Sequence, residues 1–205
     1  MYTTDIKTLE ALRKIYRMYY KDSDEPPEIK YVRVRVVQTL GLVIAGKLVK
    51  ISDKAIEEGI KALRNCRTIL CDSLLTETGI RYKLERYGLK NRVVSLSSLR
   101  RSYNEGLVDQ IDKILNICEN SIVVVGASPK VLDKIISNVN ILKPCLIIAT
   151  PPGFIDAPYV KRRLIVERPC EYMTILGTLG SSILAISLFT SLVDIYLGFH
   201  RYVVD

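Results

Sequence analysis

The chain has 205 residues and carries 30 Lys and Arg against 22 Asp and Glu, a formal charge of +8. That length suits one domain with a substantial core, and 48% apolar residues is an ordinary water-soluble composition. The positive balance favours an anionic partner, but the chain has no run of five basic residues, which argues against a nucleic-acid tail.

Residues 1–22 read as a charged amphipathic helix without a signal peptide, and residues 21–30, KDSDEPPEIK, as the linker that follows it. Residues 31–38 then read as a first strand. Val32, Val34, Val36 and Val37 supply β-branched bulk, Arg33 and Arg35 alternate with them, and Gln38, Thr39 and Gly41 close the run. A helix is expected over 52–65, with Ser52 as its N-cap and Ala55, Ile56, Gly59, Ile60 and Leu63 on one face. Strands are expected at 67–72, 91–96, 121–127, 145–150 and 171–176, each rich enough in Val, Ile and Leu to be covered on both faces. Helical patterns fill 102–119, 128–139 and 156–167 between them.

Residues 181–200 approach the length of a membrane span, but Asp194 and recurrent Ser and Thr make them a helix buried against the sheet. Cys66, Cys71, Cys118, Cys145 and Cys170 form no CxxC pair and read as buried, reduced thiols, in keeping with a cytoplasmic protein. With one histidine in the chain they make no zinc constellation, and no metal site is expected.

Alternating β and α units imply a single α/β domain over 1–205, a mostly parallel sheet with right-handed crossovers. In such a sheet the loops after the strands share one edge, where ligands bind. The candidates there are Gln38 and Thr39, Asp72 with Cys71 and Ser73, Ser97 to Ser102 including Arg101, Gly126 to Ser128, Thr150 to Gly153, and Gly177 to Ser182. Small residues, hydroxyls, one carboxylate and two arginines suit a large anionic ligand. The set has no nucleophile–base pair, dinucleotide fingerprint or phosphate-loop lysine. Each candidate also has a plain structural use: Gln38 and Asp72 as caps, Arg101 as a surface residue, and Gly126, Gly153 and Gly177 as turn residues.

Four segments, in order, resemble the precorrin-8X methylmutase family of cobalamin biosynthesis. RVRVVQTLG is similar to that family's first strand, which ends in a His, small residues and Gly. AIEEGIKALRNCRTILCDSLLTETGI resembles its helix, strand, Cys-Asp and Gly-Ile signature. SIVVVGASPKVLDKII resembles its strand followed by Gly-Asn-Ala-Pro, and KPCLIIATPPGFIDAPYVK its strand, Pro-x-Gly-Phe turn and helix ending in Lys.

The resemblance implies a flavodoxin-like three-layer α/β/α sandwich, a homodimer that binds a polycarboxylate corrinoid and no nucleic acid or membrane. The implied reaction is an intramolecular shift of a methyl group from C-11 to C-12 of the ring, with no cofactor. It also implies substrate contacts at Thr39, Asp72, Arg101, Ser102, Gly126, Ala127, Gly153 and Gly177. Gln38 stands where the family keeps the His that assists by proton donation. Imidazole can hand over a proton near neutrality, whereas a carboxamide only donates or accepts hydrogen bonds. Ala127 replaces the family Asn, and Leu176, Thr178 and Leu179 offer no guanidinium in a loop that usually carries arginines. LRRSY keeps Arg101 and Ser102 at the places where the family has them, and an Arg there can pair bidentately with a carboxylate. These departures set an active methylmutase with an altered proton source beside a non-catalytic corrinoid or tetrapyrrole binder. An unrelated nucleotide-binding flavodoxin-like domain is the third reading.

Overall fold

The computed structural model describes residues 6–100 and 106–204. Its first half comprises α1 (Ile6–Tyr19), α2 (Pro27–Leu40), α3 (Val43–Leu48), β1 (Val49–Ile51), α4 (Ala55–Arg64), β2 (Ile69–Cys71), α5 (Leu74–Arg86) and β3 (Val93–Ser95). After 3₁₀ turns at Ser97–Leu99 and Val108–Ile117 come β4 (Ile122–Val125), α6 (Pro129–Ser137), α7 (Val139–Leu142) and β5 (Leu146–Ala149). The chain continues through α8 (Asp156–Glu167), β6 (Glu171–Ile175), α9 (Ser182–Tyr196) and α10 (Arg201–Val204).

The strands form one sheet in the order β1-β6-β5-β4-β2-β3. Every pairing is parallel except β1 with β6, where Val49 faces Ile175 and Ile51 faces Met173. The five strands expected from the sequence after residue 65 are all present, and they supply the whole parallel part. Side-chain alternation sorts them between two cores. Ile69, Ile122, Val124, Leu146, Ile148 and Met173 face the α4, α5 and α9 side, while Leu70, Val123, Val125, Ile147 and Ala149 face α6 and α8. The result is the expected three-layer α/β/α arrangement, with α1, α2, α3 and α10 added outside α9.

The first strand expected from the sequence is instead a helix, α2. Pro27 opens it and Gly41 ends it in the left-handed conformation (φ +67°), its N–H donating to the Val37 carbonyl. Pro at the start and Gly past the end are helix punctuation, and here they outweigh the β-branched run. The alternation misleads because α2 is buried on a wide face. Tyr31, Val32, Val34, Val36 and Val37 pack inward, while the arginines extend their polar ends to partners. Arg33 reaches Glu25 and the Gly46 carbonyl, and Arg35 reaches Asp194. The linker is correspondingly shorter than expected.

α9 is the central helix of that side. Its carboxylate Asp194, 3% exposed, accepts from Tyr31 Oη (2.8 Å), Arg35 Nη1 (3.2 Å) and Lys83 Nζ (2.6 Å), joining α2, α5 and α9. Burial, with the Asp194 charge beside it, pushes the Tyr31 hydroxyl far above its ordinary pKa, so it stays a donor. No described helix is long and apolar enough to cross a membrane. Ser52 does not cap α4: its hydroxyl donates to Glu171 Oε2 and accepts from the Tyr172 N–H, pinning the end of β1 to β6. The α4 N-cap is Lys54, whose N–H is met by Glu171. The thiols are free. Cys71 and Cys118 are buried and Cys145 and Cys170 half-buried, but Cys66 is exposed rather than buried as expected.

Candidate functional site

Each parallel strand delivers its last residue to one edge of the sheet, and three helices start there on serine caps. Ser73 Oγ accepts from the Thr76 N–H at the start of α5, Ser128 Oγ from Val131 at α6, and Ser181 Oγ from Leu184 at α9. The positive ends of three helix dipoles therefore converge on the carboxyl edge.

Asp72 lies at the centre of this edge, 1% exposed. The alternative role as a helix cap does not hold, because Ser73 caps α5. Asp72 instead accepts from three successive backbone donors beyond β4: Gly126 N (3.2 Å), Ala127 N (2.7 Å) and Ser128 N (3.0 Å). A carboxylate can satisfy three donors at once, and such charge-assisted bonds are short and strong. Asp72 thus fixes the loop into α6. Gly126 packs against α9 and α5: an added Cβ would lie 2.5 Å from Ser182 Cα and 3.1 Å from Thr76 Oγ1. Gly126→Ala therefore forces α9 away from β4, and urea unfolding is expected to show a loss of about 1–3 kcal/mol.

The other expected residues fall in four groups. Ala127 is joined to Asp72 by its N–H, as above. Gly153 (φ +142°) and Gly177 (φ +76°) occupy the loops after β5 and β6, which are tied by Gly153 N to Thr178 O (3.2 Å) and Thr150 Oγ1 to Ser181 O (2.9 Å). Arg101 and Ser102 lie outside the described residues. Thr39 spends its hydroxyl on the Arg35 carbonyl (2.8 Å) and on Ser187 of α9 (2.7 Å), a helix-to-helix tie.

Gln38 lies in the last turn of α2, half-buried, rather than at a strand tip. Contacts from Tyr31 to Asp194, Arg35 to Thr190 and Thr39 to Ser187 show α2 running antiparallel to α9. The end of α2 therefore points toward the start of α9. Ser187 is five residues past Ser182, or about 7–8 Å along the helix. Gln38 is thus at the same end of the molecule as Asp72, on the flank of the edge. His200 is at the other end of α2, its Nε2 3.8 Å from Glu28 Oε1 and its ring edge-on to Tyr31. Glu28 and Gln38 are ten residues apart on that helix, about 15 Å, so His200 is no substitute at position 38.

A groove of about 460 Å³ opens between α6 and α8, lined by Lys130, Asp133, Lys134, Asp156 and Tyr159 among others; Gln38 does not line it. On the far side of the edge, Glu77 of α5 is buttressed against β3. Partial burial pushes its pKa up, but bonds from Ser95, Arg81 and Ser98 outweigh that and hold the carboxyl below its ordinary range.

Two features of the edge have uses that the sequence does not disclose, although Phe154 and Lys161 both stand in the KPCLIIATPPGFIDAPYVK segment. Large apolar side chains crowd it in the open: Leu74 and Leu75 at the start of α5, Phe154 and Ile155 after β5, and Ile183 at the start of α9. Lys161 of α8 is the second. It is fully buried, and its Nζ donates to the Leu179 carbonyl (2.6 Å) in the loop between β6 and α9. The sequence signal for the first is an apolar pair following a serine cap; for Lys161 it is a lysine among Ala157, Val160 and Leu164 at helical spacing.

The precorrin-8X methylmutase family model matches residues 10–195. The cobalt-precorrin-8 methylmutase of Leptospira interrogans is 27% identical over 161 residues, covering 71% of this chain and 73% of that protein. That of Methanocaldococcus jannaschii is 27% identical over 161 residues, covering 78% and 76%. The crystal structure of precorrin-8X methylmutase from Thermus thermophilus superposes with a TM-score of 0.84 at 21% identity, over 95% of this chain and 99% of that one. A structure described as a precorrin-8X methylmutase related protein does so at 0.72 and 22%, over the same shares.

Proposed function

Because the chain belongs to the precorrin-8X methylmutase family of cobalamin biosynthesis, we propose that it binds a polycarboxylate corrinoid at the carboxyl edge of its sheet and converts it slowly. The observation that carries this is the pairing of opposite chemistries on one edge. Three serine-capped helix N-termini suit carboxylates, and the exposed Leu74, Leu75, Phe154, Ile155 and Ile183 suit the apolar face of a flat macrocycle. The net charge of +8 favours the encounter.

The reaction we assign is the methyl shift from C-11 to C-12, an intramolecular isomerisation without a cofactor. Such a shift is assisted by a proton delivered to the ring system. Gln38, in the position of the family His, can hydrogen-bond the ring but cannot protonate it, so the chain binds and orients its substrate while the proton step limits it. Thr39, Asp72, Arg101, Ser102, Gly126, Ala127, Gly153 and Gly177 make up the rest of the proposed substrate contacts, with Asp72 acting through the loop it holds. Gln38, together with Leu176, Thr178 and Leu179 in place of basic residues, equally favours a second reading, a corrinoid or tetrapyrrole carrier with no turnover. We place the protein in the cytoplasm, supported by five free thiols, and as a homodimer, as the family resemblance implies.

The test is to mix the purified chain with cobalt-precorrin-8 and follow the visible spectrum. An immediate perturbation followed by slow conversion is expected. Perturbation without conversion selects the carrier, and no perturbation at all removes corrinoid binding from the assignment.

A further inference from the structure

The loop from Gly177 to Ser181 joins β6 to α9 at the carboxyl edge and has no basic side chain of its own. Beneath it lies Lys161, with no measurable exposure and no carboxylate partner among the described residues. A buried ammonium is costly unless something opposite in charge meets it. Its bond falls on the Leu179 carbonyl, and the N–H of that same peptide, on Gly180, has no hydrogen-bond partner among the described residues. An ammonium on the oxygen of a peptide polarises it and makes its N–H a stronger donor. The α9 N-terminus, capped by Ser181, adds its own positive end one residue further on.

We propose that Lys161 is a positioning residue for ligand: protonated, it holds the Gly177–Ser181 loop and charges its outer face to receive a carboxylate of the macrocycle. This rests on the corrinoid reading above. The occupant that completes the charge pair is then the ligand, and binding and protonation of Lys161 support one another.

Surrounding charges do not explain the lysine's state. Asp156, Tyr159, Lys130 and Lys134 line the separate groove, Arg162 is exposed, Arg163 is held by Asp133 and Glu167, and Glu171 by Ser52, Lys54 and Arg168. Burial alone lowers the ammonium, to about 8. If binding needs the charged form, affinity holds below that value and falls as pH rises through it, by up to about 30-fold between pH 7 and pH 9.5.

The test is titration of the whole chain with a stable corrin polycarboxylate, cobyrinic acid, across that range, with Lys161→Arg and Lys161→Met beside it. A guanidinium stays charged throughout, so Lys161→Arg should bind with a flat profile. Lys161→Met should bind at least tenfold more weakly at pH 7, also with a flat profile, and with a melting temperature no lower than that of the unaltered chain. A purely structural lysine would give the reverse, a lower melting temperature and unchanged affinity. An unaltered chain that binds equally at both ends of the range overturns the inference and leaves the corrinoid reading standing. No binding at any pH overturns the corrinoid reading and takes the inference with it.

Discussion

Gln38→His raises the rate of cobalt-precorrin-8 conversion by about two to four powers of ten, the span that a positioned general acid contributes. The substituted side chain would stand in the last turn of α2, where the helix's negative end favours a cationic imidazole and lifts its pKa. That suits a group that must arrive protonated and release its proton near neutrality. At saturating substrate, rate should therefore be highest below the imidazole pKa and decline above it, whereas the unaltered chain shows no such limb. Affinity for cobyrinic acid should change little, since the carboxamide already fills the space. Conversion no faster than before, with binding intact, would show that position 38 does not face the reacting carbons.

Asp72→Asn is expected to cost about 3 kcal/mol of folding stability by urea denaturation, and to abolish corrinoid binding in the fraction that remains folded. The amide that replaces one carboxylate oxygen is itself a donor and would face backbone N–H groups of Gly126, Ala127 or Ser128. At least one buried donor then loses its acceptor, and the loop entering α6 is released. The binding loss is the telling half. Asp194→Asn disturbs a comparably buried carboxylate at the other end of α9 and should destabilise while leaving the affinity of the folded protein unchanged. Equal effects of the two substitutions on affinity would mean that Asp72 matters only for the core.

What the sequence makes legible is what short-range chemistry decides. β2 to β6 show themselves as Val, Ile and Leu runs between turn residues, and α8 falls over 156–167 as expected. β1 is three residues long, antiparallel and follows α3 directly, with too little pattern to notice. α2 is misread because a run of eight residues cannot separate a fully packed helix from a strand; Pro27 lies outside the run, and Gly41 closes a strand as readily as a helix. Asp72 is visible as an edge residue, but its use is not, since its partners lie 54 to 56 positions away in the chain. Nor does a lysine in an amphipathic helix announce that the loop of a later strand will fold over it.

The clasp between α2 and α9 has a cost in time. Its bonds join residues 148 to 163 positions apart, so the Val-rich helix emerges in synthesis long before its partner. Until α9 arrives, VRVRVV is an uncovered segment of strong β preference, the composition from which intermolecular sheets nucleate. Arg33 and Arg35, which later anchor the helix, meanwhile serve as like-charged gatekeepers that keep one nascent copy from zipping onto another.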